Sequence, residues 1–166
     1  MSSNKILLID GYNVINRLAS LQPSPDGGLE NAREKLDRLV AAWRAAHRGF
    51  DCVIVFDGRD EFAGSGPQRL HGVRTVFSRV AHGGDAEIIR FVRDYHGRPS
   101  DITVVSDDNH VRNNSRAHGA KVEPASYLKV DERRPAVHRK PHAPARGLDP
   151  KAVAEINREL RKKYGL

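Results

Sequence analysis

Acidic residues recur directly after the apolar segments of this sequence. Asp10 follows the run ILLI, Asp57 follows CVIVF, and the pair Asp107 and Asp108 follows ITVVS. Asp85 stands in HGGDAE, where a helical pattern begins. Several carboxylates in one small volume repel one another, and Mg²⁺ or Mn²⁺ relieves that repulsion because these hard cations prefer oxygen ligands. One or two such ions can activate water, orient a phosphate and stabilise a leaving oxygen.

These acids can meet only if the segments before them are strands of one sheet. Five short apolar runs are predicted strands: Lys5–Ile9, Cys52–Phe56, Val73–Phe77, Ile102–Val105 and the weaker Ala120–Glu123. The first, second and fourth are continuous rather than alternating, which is typical of strands covered on both faces. Helical spacing of apolar residues fills 29–43, 85–97 and 109–118. This order predicts an α/β fold with a parallel sheet between helices.

In a parallel sheet, ligands bind at the carboxyl ends of the strands. If the first strand lies between the second and the fourth, Asp10, Asp57 and Asp107 converge, and Asp85 points in from its helix. Any one of these acids alone is more commonly a turn or cap residue, and Asp108 could cap the helix that follows it. Their recurrence at one edge nevertheless indicates a metal site, and a metal site in a basic protein suggests phosphodiester cleavage.

The basic charge is concentrated at one end of the chain. The protein has 166 residues, a net charge of +7 and a pI of about 9.9. Ten basic and five acidic residues lie in 131–166 with four prolines, whereas 1–130 is almost balanced. We therefore predict a folded domain over 1–130 and a basic, Pro-rich arm with a short C-terminal helix over 131–166. A phosphate-rich partner such as RNA would suit this charge.

Other classes of site and location are disfavoured. The single cysteine, Cys52, excludes an intrachain disulfide and a zinc framework. The sequence contains no GxGxxG, no GxxxxGK[ST] and no GxSxG. No signal peptide or membrane-spanning run is evident, so we expect a cytoplasmic protein without a membrane partner. The oligomeric state is not indicated.

The segments LLIDGYNVI, VIVFDG, GGDAEIIRFV and ITVVSDDNHVRNNSRAHGAKV, in that order, resemble the NYN domain family. They are most similar to its YacP-like branch, within the PIN-like ribonucleases. The resemblance covers residues 4–130 and leaves the basic tail outside the pattern. It implies a three-layer α/β/α domain and an RNA-cutting site that depends on Mg²⁺ or Mn²⁺. Members of this branch are ribosome-associated endoribonucleases or are inferred to be, so RNA and the ribosome are the implied partners.

The resemblance also implies roles for individual residues. The catalytic and metal-binding acids would be Asp10, Asp57, Asp85 and Asp107, with Asp108 as an additional ligand. Asn13 would hold the site geometry or contact a phosphate, and Ser106 would orient the loop before Asp107. Family members often carry another acid one turn after the position of Asp85, where this chain has Ile88 and Ile89, with Glu87 as the nearest substitute.

The basic residues suggest which side chains could contact the RNA backbone, and Arg59 and Arg112 are candidates for substrate binding. Two other functions compete with cleavage. A catalytically inactive PIN-like module could bind RNA or a ribosome, although an acidic pocket gives a pure phosphate binder no advantage. A phosphatase with an aspartyl nucleophile usually shows DxD after the first strand, and Tyr12 occupies the second of those positions here.

Overall fold

The computed structural model describes residues 5–58, 68–79 and 83–129, and these form one mixed sheet between two layers of helices. The strands are β1 (Lys5–Asp10), β2 (Phe50–Phe56), β3 (Gln68–Leu70), β4 (Val73–Phe77), β5 (Ile102–Val105) and β6 (Lys121–Glu123). The helices are α1 (Gly11–Arg17), α2 (Gly28–Ala46), α3 (Gly83–Arg93) and α4 (Asn109–Ala117). Three short 3₁₀ turns cover Ala19–Leu21, Pro99–Asp101 and Ala125–Leu128.

The strand that runs into Asp10 lies in the interior of the sheet. The six strands have the order β3-β4-β2-β1-β5-β6, and only β3 is antiparallel to its neighbour. Ile9 pairs with Ile54 of β2 on one side and with Val105 of β5 on the other. The carboxyl ends of β1, β2 and β5 therefore lie side by side at one edge of the sheet. The predicted convergence of the acids requires this arrangement.

Alternation along the buried strands builds a core on each face of the sheet. Leu7 and Ile9 of β1 pack into the core beneath α1 and α2, whereas Ile6 and Leu8 pack into the core beneath α3 and α4. The largest side chain of the first core is Trp43, which is 1% exposed and donates to the carbonyl oxygen of Tyr127. Because both faces are covered by helices, the predicted three-layer α/β/α architecture is confirmed.

Among the α-helices and strands, two were not predicted. The first is α1, which begins directly after Asp10 and buries Val14 and Ile15. The chain can enter this helix so abruptly because residue 11 is glycine: a Cβ there would lie 2.4 Å from Phe56 Cε1 and 3.0 Å from the carbonyl oxygen of Val55. The second is β3, three exposed residues at the edge of the sheet.

The arm and helix predicted for 131–166 lie outside the described residues. The described part of the chain up to residue 129 falls within one compact unit, Met1–Val130. No helix in this part combines the length and the apolar character that crossing a membrane requires.

Candidate active site

A cavity of about 590 Å³ opens at the carboxyl ends of β1 and β2, and it brings together four of the five predicted acids. Part of its wall is acidic, and another part comes from α1 and the first turn of α2. The described lining residues are Asp10, Tyr12, Asn13, Asn16, Leu29, Asp57, Gly83, Gly84, Asp85 and Asp108.

Asp10 is the most buried of these acids, with only 8% of its surface exposed. Burial raises the pKa of its carboxyl group to about 6, and the nearby charges of Asp85 and Asp108 add to this effect. Hydrogen bonds from the Ser106 hydroxyl and the Asn13 backbone N–H oppose the rise. The Asp10 carboxylate is therefore fixed in position, but its surroundings compensate little of its negative charge.

Ser106 links this carboxylate to the loop after β5. Its hydroxyl is fully buried and donates to Asp10 Oδ2 at 2.9 Å, while its Oγ accepts from the backbone N–H of Asp108 at 3.1 Å. Asp108 Oδ1 in turn accepts from the N–H groups of His110 and Val111 and so caps α4. Asp108 therefore both caps the helix and lines the cavity.

A second buried serine holds Asp57 in a similar way. Ser78 follows β4 and is 1% exposed. Its hydroxyl donates to Asp57 Oδ1 at 3.2 Å, and its Oγ accepts from the Gly58 N–H at 3.1 Å. Ser78 was not predicted as a site residue, although a polar residue directly after a strand at the same edge was a usable signal.

Asp85 enters the cavity from the first turn of α3. The helix begins close to the end of β2, since a Cβ on Gly84 would lie 3.4 Å from the backbone nitrogen of Asp57. The pKa of Asp85 is raised, first by burial and then by the charges of Asp108 and Asp57, and His110 opposes the rise. Asp85 and Asp10 thus both experience the crowding of negative charge.

Asp107 does not line the cavity, unlike its neighbour Asp108. Its Oδ2 accepts from the backbone N–H of Ala125 at 3.0 Å, and its Oδ1 lies 3.9 Å from Arg112 Nη1. Its own N–H donates to Asn13 Oδ1 at 2.8 Å. Asp107 and Asn13 therefore anchor the loop after β5, so that the fourth carboxylate in the cavity is that of Asp108.

The other predicted residues are placed as follows. Arg112 is paired with Asp107, and Arg59 lies outside the described residues. Glu87, the nearest substitute for the additional family acid, bonds to Arg90 at 2.6 Å and is not among the lining residues of the cavity. Ile88 is fully buried in the core beneath α3.

The acidic wall suits a divalent cation held largely through water. Within the described ranges, no three His, Cys, Asp or Glu side chains stand close enough together to hold a metal ion directly. Mg²⁺ usually keeps several waters and takes only one or two protein carboxylates, so direct contact with three is not required. The donor set is entirely carboxylate oxygen, and the raised pKa of Asp10 and Asp85 reflects a charge that a cation would compensate.

Known proteins similar to this chain share its fold. A family model described as a YacP-like NYN domain matches residues 7–162. The match extends through most of the basic tail, so the expectation that the tail lies outside the family pattern was wrong. The curated protein YacP of Bacillus subtilis (strain 168), described as uncharacterized, is 26% identical over 103 residues, which are 62% of this chain and 60% of that relative. The chain thus matches about three fifths of the relative's length.

Two crystal structures of Rae1 (YacP) from Bacillus subtilis are similar to the model. A point mutant superimposes with a TM-score of 0.62 at 24% identity, over 75% of this chain and 72% of the other. The second structure gives a TM-score of 0.61 at 21% identity, over 95% and 80% of the two chains. At these identities the likeness shows the fold.

Proposed function

Because the chain belongs to the YacP-like NYN domain family, a family of PIN-like nuclease domains, we propose that it is a divalent-metal-dependent endoribonuclease that hydrolyses RNA phosphodiesters. The family supports a ribonuclease-type role in general. The metal dependence, the endonucleolytic cut and the RNA substrate are our proposal.

The observation that carries the proposal is the group of four carboxylates in one cavity. Asp10, Asp57, Asp85 and Asp108 come from four separate places in the chain. Placing these acids together costs free energy of folding, since burial first, and then the charges of neighbouring acids, raise the pKa of Asp10 and Asp85. A protein gains from such a cluster when a cation binds there, which favours an enzyme over a module that only binds phosphates.

These four carboxylates are the residues that would hold one or two Mg²⁺ or Mn²⁺ ions. When bound, the ions supply polarisation of the phosphate, a lowered pKa of water and stabilisation of the leaving oxygen. The protein contributes the fixed positions of the acids: Ser106 restrains Asp10, and Ser78 restrains Asp57. Asn13 holds the loop that carries Asp108.

RNA is the proposed substrate and the ribosome a proposed partner. The net charge of +7, with ten basic residues in 131–166, supports a polyanionic partner. Because the acids of the cavity repel the RNA backbone, basic residues elsewhere must attract it, and the basic tail is a candidate for this role. Its removal after Lys129 is expected to weaken RNA binding and to flatten its dependence on salt.

The test is cleavage of labelled RNA by the purified full-length protein with Mn²⁺, with Mg²⁺ and with EDTA. We expect internal cuts in both metals, none in EDTA, and a loss of about 100-fold or more in Asp10→Asn. Asp94→Asn is the matched control, because Asp94 is an exposed acid paired with Arg93 and should cut like the wild type. If wild type and Asp10→Asn bind RNA equally and neither cuts it, the protein is a binding module instead.

A further inference from the structure

We propose that the part of the cavity wall that carries no acids is a subsite for one unpaired nucleobase next to the bond that is cut. This wall consists of Tyr12, Asn13 and Asn16 of α1 together with Leu29 of α2. The inference rests on the proposal that RNA enters this cavity, and it adds which part of the RNA the non-acidic wall contacts.

The cavity has room for more than a phosphate and its ion. Its volume of about 590 Å³ lies within the range of roughly 300–1,000 Å³ that is usual for pockets that enclose a small molecule. The acids come from the ends of β1 and β2, from α3 and from the loop after β5. The remaining wall is built by residues 12, 13 and 16, which share one face of α1.

The chemistry of this wall suits a base rather than a phosphate. None of the described lining residues is Lys, Arg or His. Phosphates are usually bound by cationic side chains, hydroxyl or amide groups and backbone N–H groups at helix starts. At the start of α1 the backbone N–H of Asn13 is already bonded to the Asp10 carboxylate. A polyanionic group therefore finds little charge compensation on this side of the cavity.

Aromatic, apolar and amide groups are what an unpaired base requires. The Tyr12 ring is half-buried and is fixed by two contacts: its centroid lies 4.9 Å from that of Phe56, and Arg33 Nη1 donates to its hydroxyl at 3.5 Å. The exposed Asn16 amide has no side-chain hydrogen bond to any described residue, so both its donor and its acceptor are available. Asn13 is oriented by its Oδ1, which accepts from Asp107, and its NH₂ group remains as a donor.

The consequence is a preference for single-stranded RNA. A base in a duplex presents neither its face nor its pairing edge to such a wall, whereas a base in a loop or an unpaired segment does. Stacking and a single amide contact depend strongly on whether a base is present and only weakly on which base it is. The cleavage site should therefore depend on the presence of a base beside the cut.

The experiment uses the full-length protein and single-stranded RNA oligonucleotides of one sequence, each with an abasic residue at one position around the cut. We expect abasic substitution at one flanking position to lower kcat/KM about tenfold, and the same substitution further away to have no effect. Compared with the wild type, Asn16→Ala should cut the intact oligonucleotide about three- to tenfold less efficiently. On the oligonucleotide whose abasic position is sensitive, Asn16→Ala and the wild type should cut equally well. Asn113→Ala, an exposed asparagine on α4, is the matched control and should behave like the wild type.

Binding separates this inference from the proposed activity. The affinities of Asp57→Asn for the intact and abasic oligonucleotides are measured by fluorescence anisotropy in Mg²⁺. Cleavage by the wild type that is indifferent to every abasic position overturns the subsite and leaves the nuclease intact. If binding requires the base but the wild type cleaves no RNA, the cavity still binds an unpaired base, and the proposed nuclease activity is overturned.

Discussion

The buried hydroxyl of Ser106 donates a 2.9 Å hydrogen bond to Asp10 Oδ2, across 96 positions of the sequence. This bond joins the ends of β1 and β5 at the edge of the sheet where the acids meet. Through the same Oγ, Ser106 also accepts from the N–H of Asp108, so one side chain positions two of the four acids.

Replacing Ser106 by alanine should therefore reduce activity more than stability. The change removes the hydroxyl donor to Asp10 Oδ2 and leaves the Asp108 N–H without its acceptor, which should cost about 1–3 kcal/mol in the free energy of unfolding. Loss of the donor also raises the pKa of Asp10 further. We expect cleavage at pH 7 to fall at least about tenfold, with part of the loss recovered at higher pH, measured as kcat/KM against pH.

Ser115→Ala is the matched control for this change. Ser115 is fully buried in α4, and its Oγ has no partner among the described residues. Its removal should leave cleavage unchanged and stability equal or slightly higher. If the two serine variants lose the same fraction of cleavage activity, the hydrogen bond from Ser106 to Asp10 does not account for the loss.

Ser78 should act on cleavage through Asp57. Ser78→Ala removes the donor to Asp57 Oδ1 and leaves the Gly58 N–H without its acceptor. We expect a loss of about 3- to 30-fold in kcat/KM in the single variant and almost no additional loss when it is combined with Asp57→Asn. Additive losses in this double-mutant cycle would show that Ser78 acts independently of Asp57.

The raised pKa of Asp10 predicts how stability depends on pH when no metal is present. Between about pH 4 and pH 6 the folded protein retains a proton that the unfolded chain releases, because the folded pKa is about 6 and the ordinary value is 3.8. The contribution of Asp10 is therefore most favourable below pH 4 and decreases as the pH rises through 6. By pH 7 the penalty approaches about 3 kcal/mol.

Asp10→Asn removes this contribution. In EDTA, the variant should be more stable than the wild type at pH 7.5 and of similar stability at pH 4, as measured by urea unfolding with the fluorescence of Trp43, the only tryptophan. Mn²⁺ should stabilise the wild type more at pH 7.5 than at pH 5, since binding requires the unprotonated carboxylate. A wild type that Mn²⁺ does not stabilise at either pH would contradict the assignment of a metal site.

The adjacent acids Asp107 and Asp108 should separate into a structural and a functional residue. Asp108→Asn keeps a good N-cap for α4 but loses a charge in the cavity, so Mn²⁺ affinity should fall while stability is almost unchanged. Asp107→Ala loses the bond to the Ala125 N–H and should destabilise the fold by about 1–2 kcal/mol. Isothermal titration with Mn²⁺ and urea unfolding measure the two effects, and the opposite pattern would assign the cavity to Asp107.

The strands and the edge at which the acids meet could be predicted because continuous Ile and Val runs identify strands that are covered on both faces. The bounds of β4 and β5 agree with the prediction, and β1 and β2 are longer by one and two residues. Helix α1 was missed because seven residues are too few for a helical period to emerge from Val14, Ile15 and Leu18. The edge strand β3 has only three residues, all exposed, and a single apolar one, Leu70, which gives no period.

The finer geometry of the site depends on contacts between distant parts of the chain. Sequence alone does not distinguish Asp107 from Asp108, since which carboxylate faces the cavity depends on the bonds that Asn13 and Ala125 make to Asp107. The bond that Ser78 makes was not predicted for the same reason, because its partner Asp57 lies 21 residues earlier, just after a neighbouring strand.

The interior position of β1 has a consequence for biosynthesis. β1 is made before the other described strands of this sheet, yet it pairs with β5, which begins at Ile102. Until that segment has been synthesised, one edge of β1 remains open to other pairing, and long-range pairing of this kind is slow to form. Asp108 follows β5, so a nascent chain lacks the complete set of acids until most of the sheet is in place.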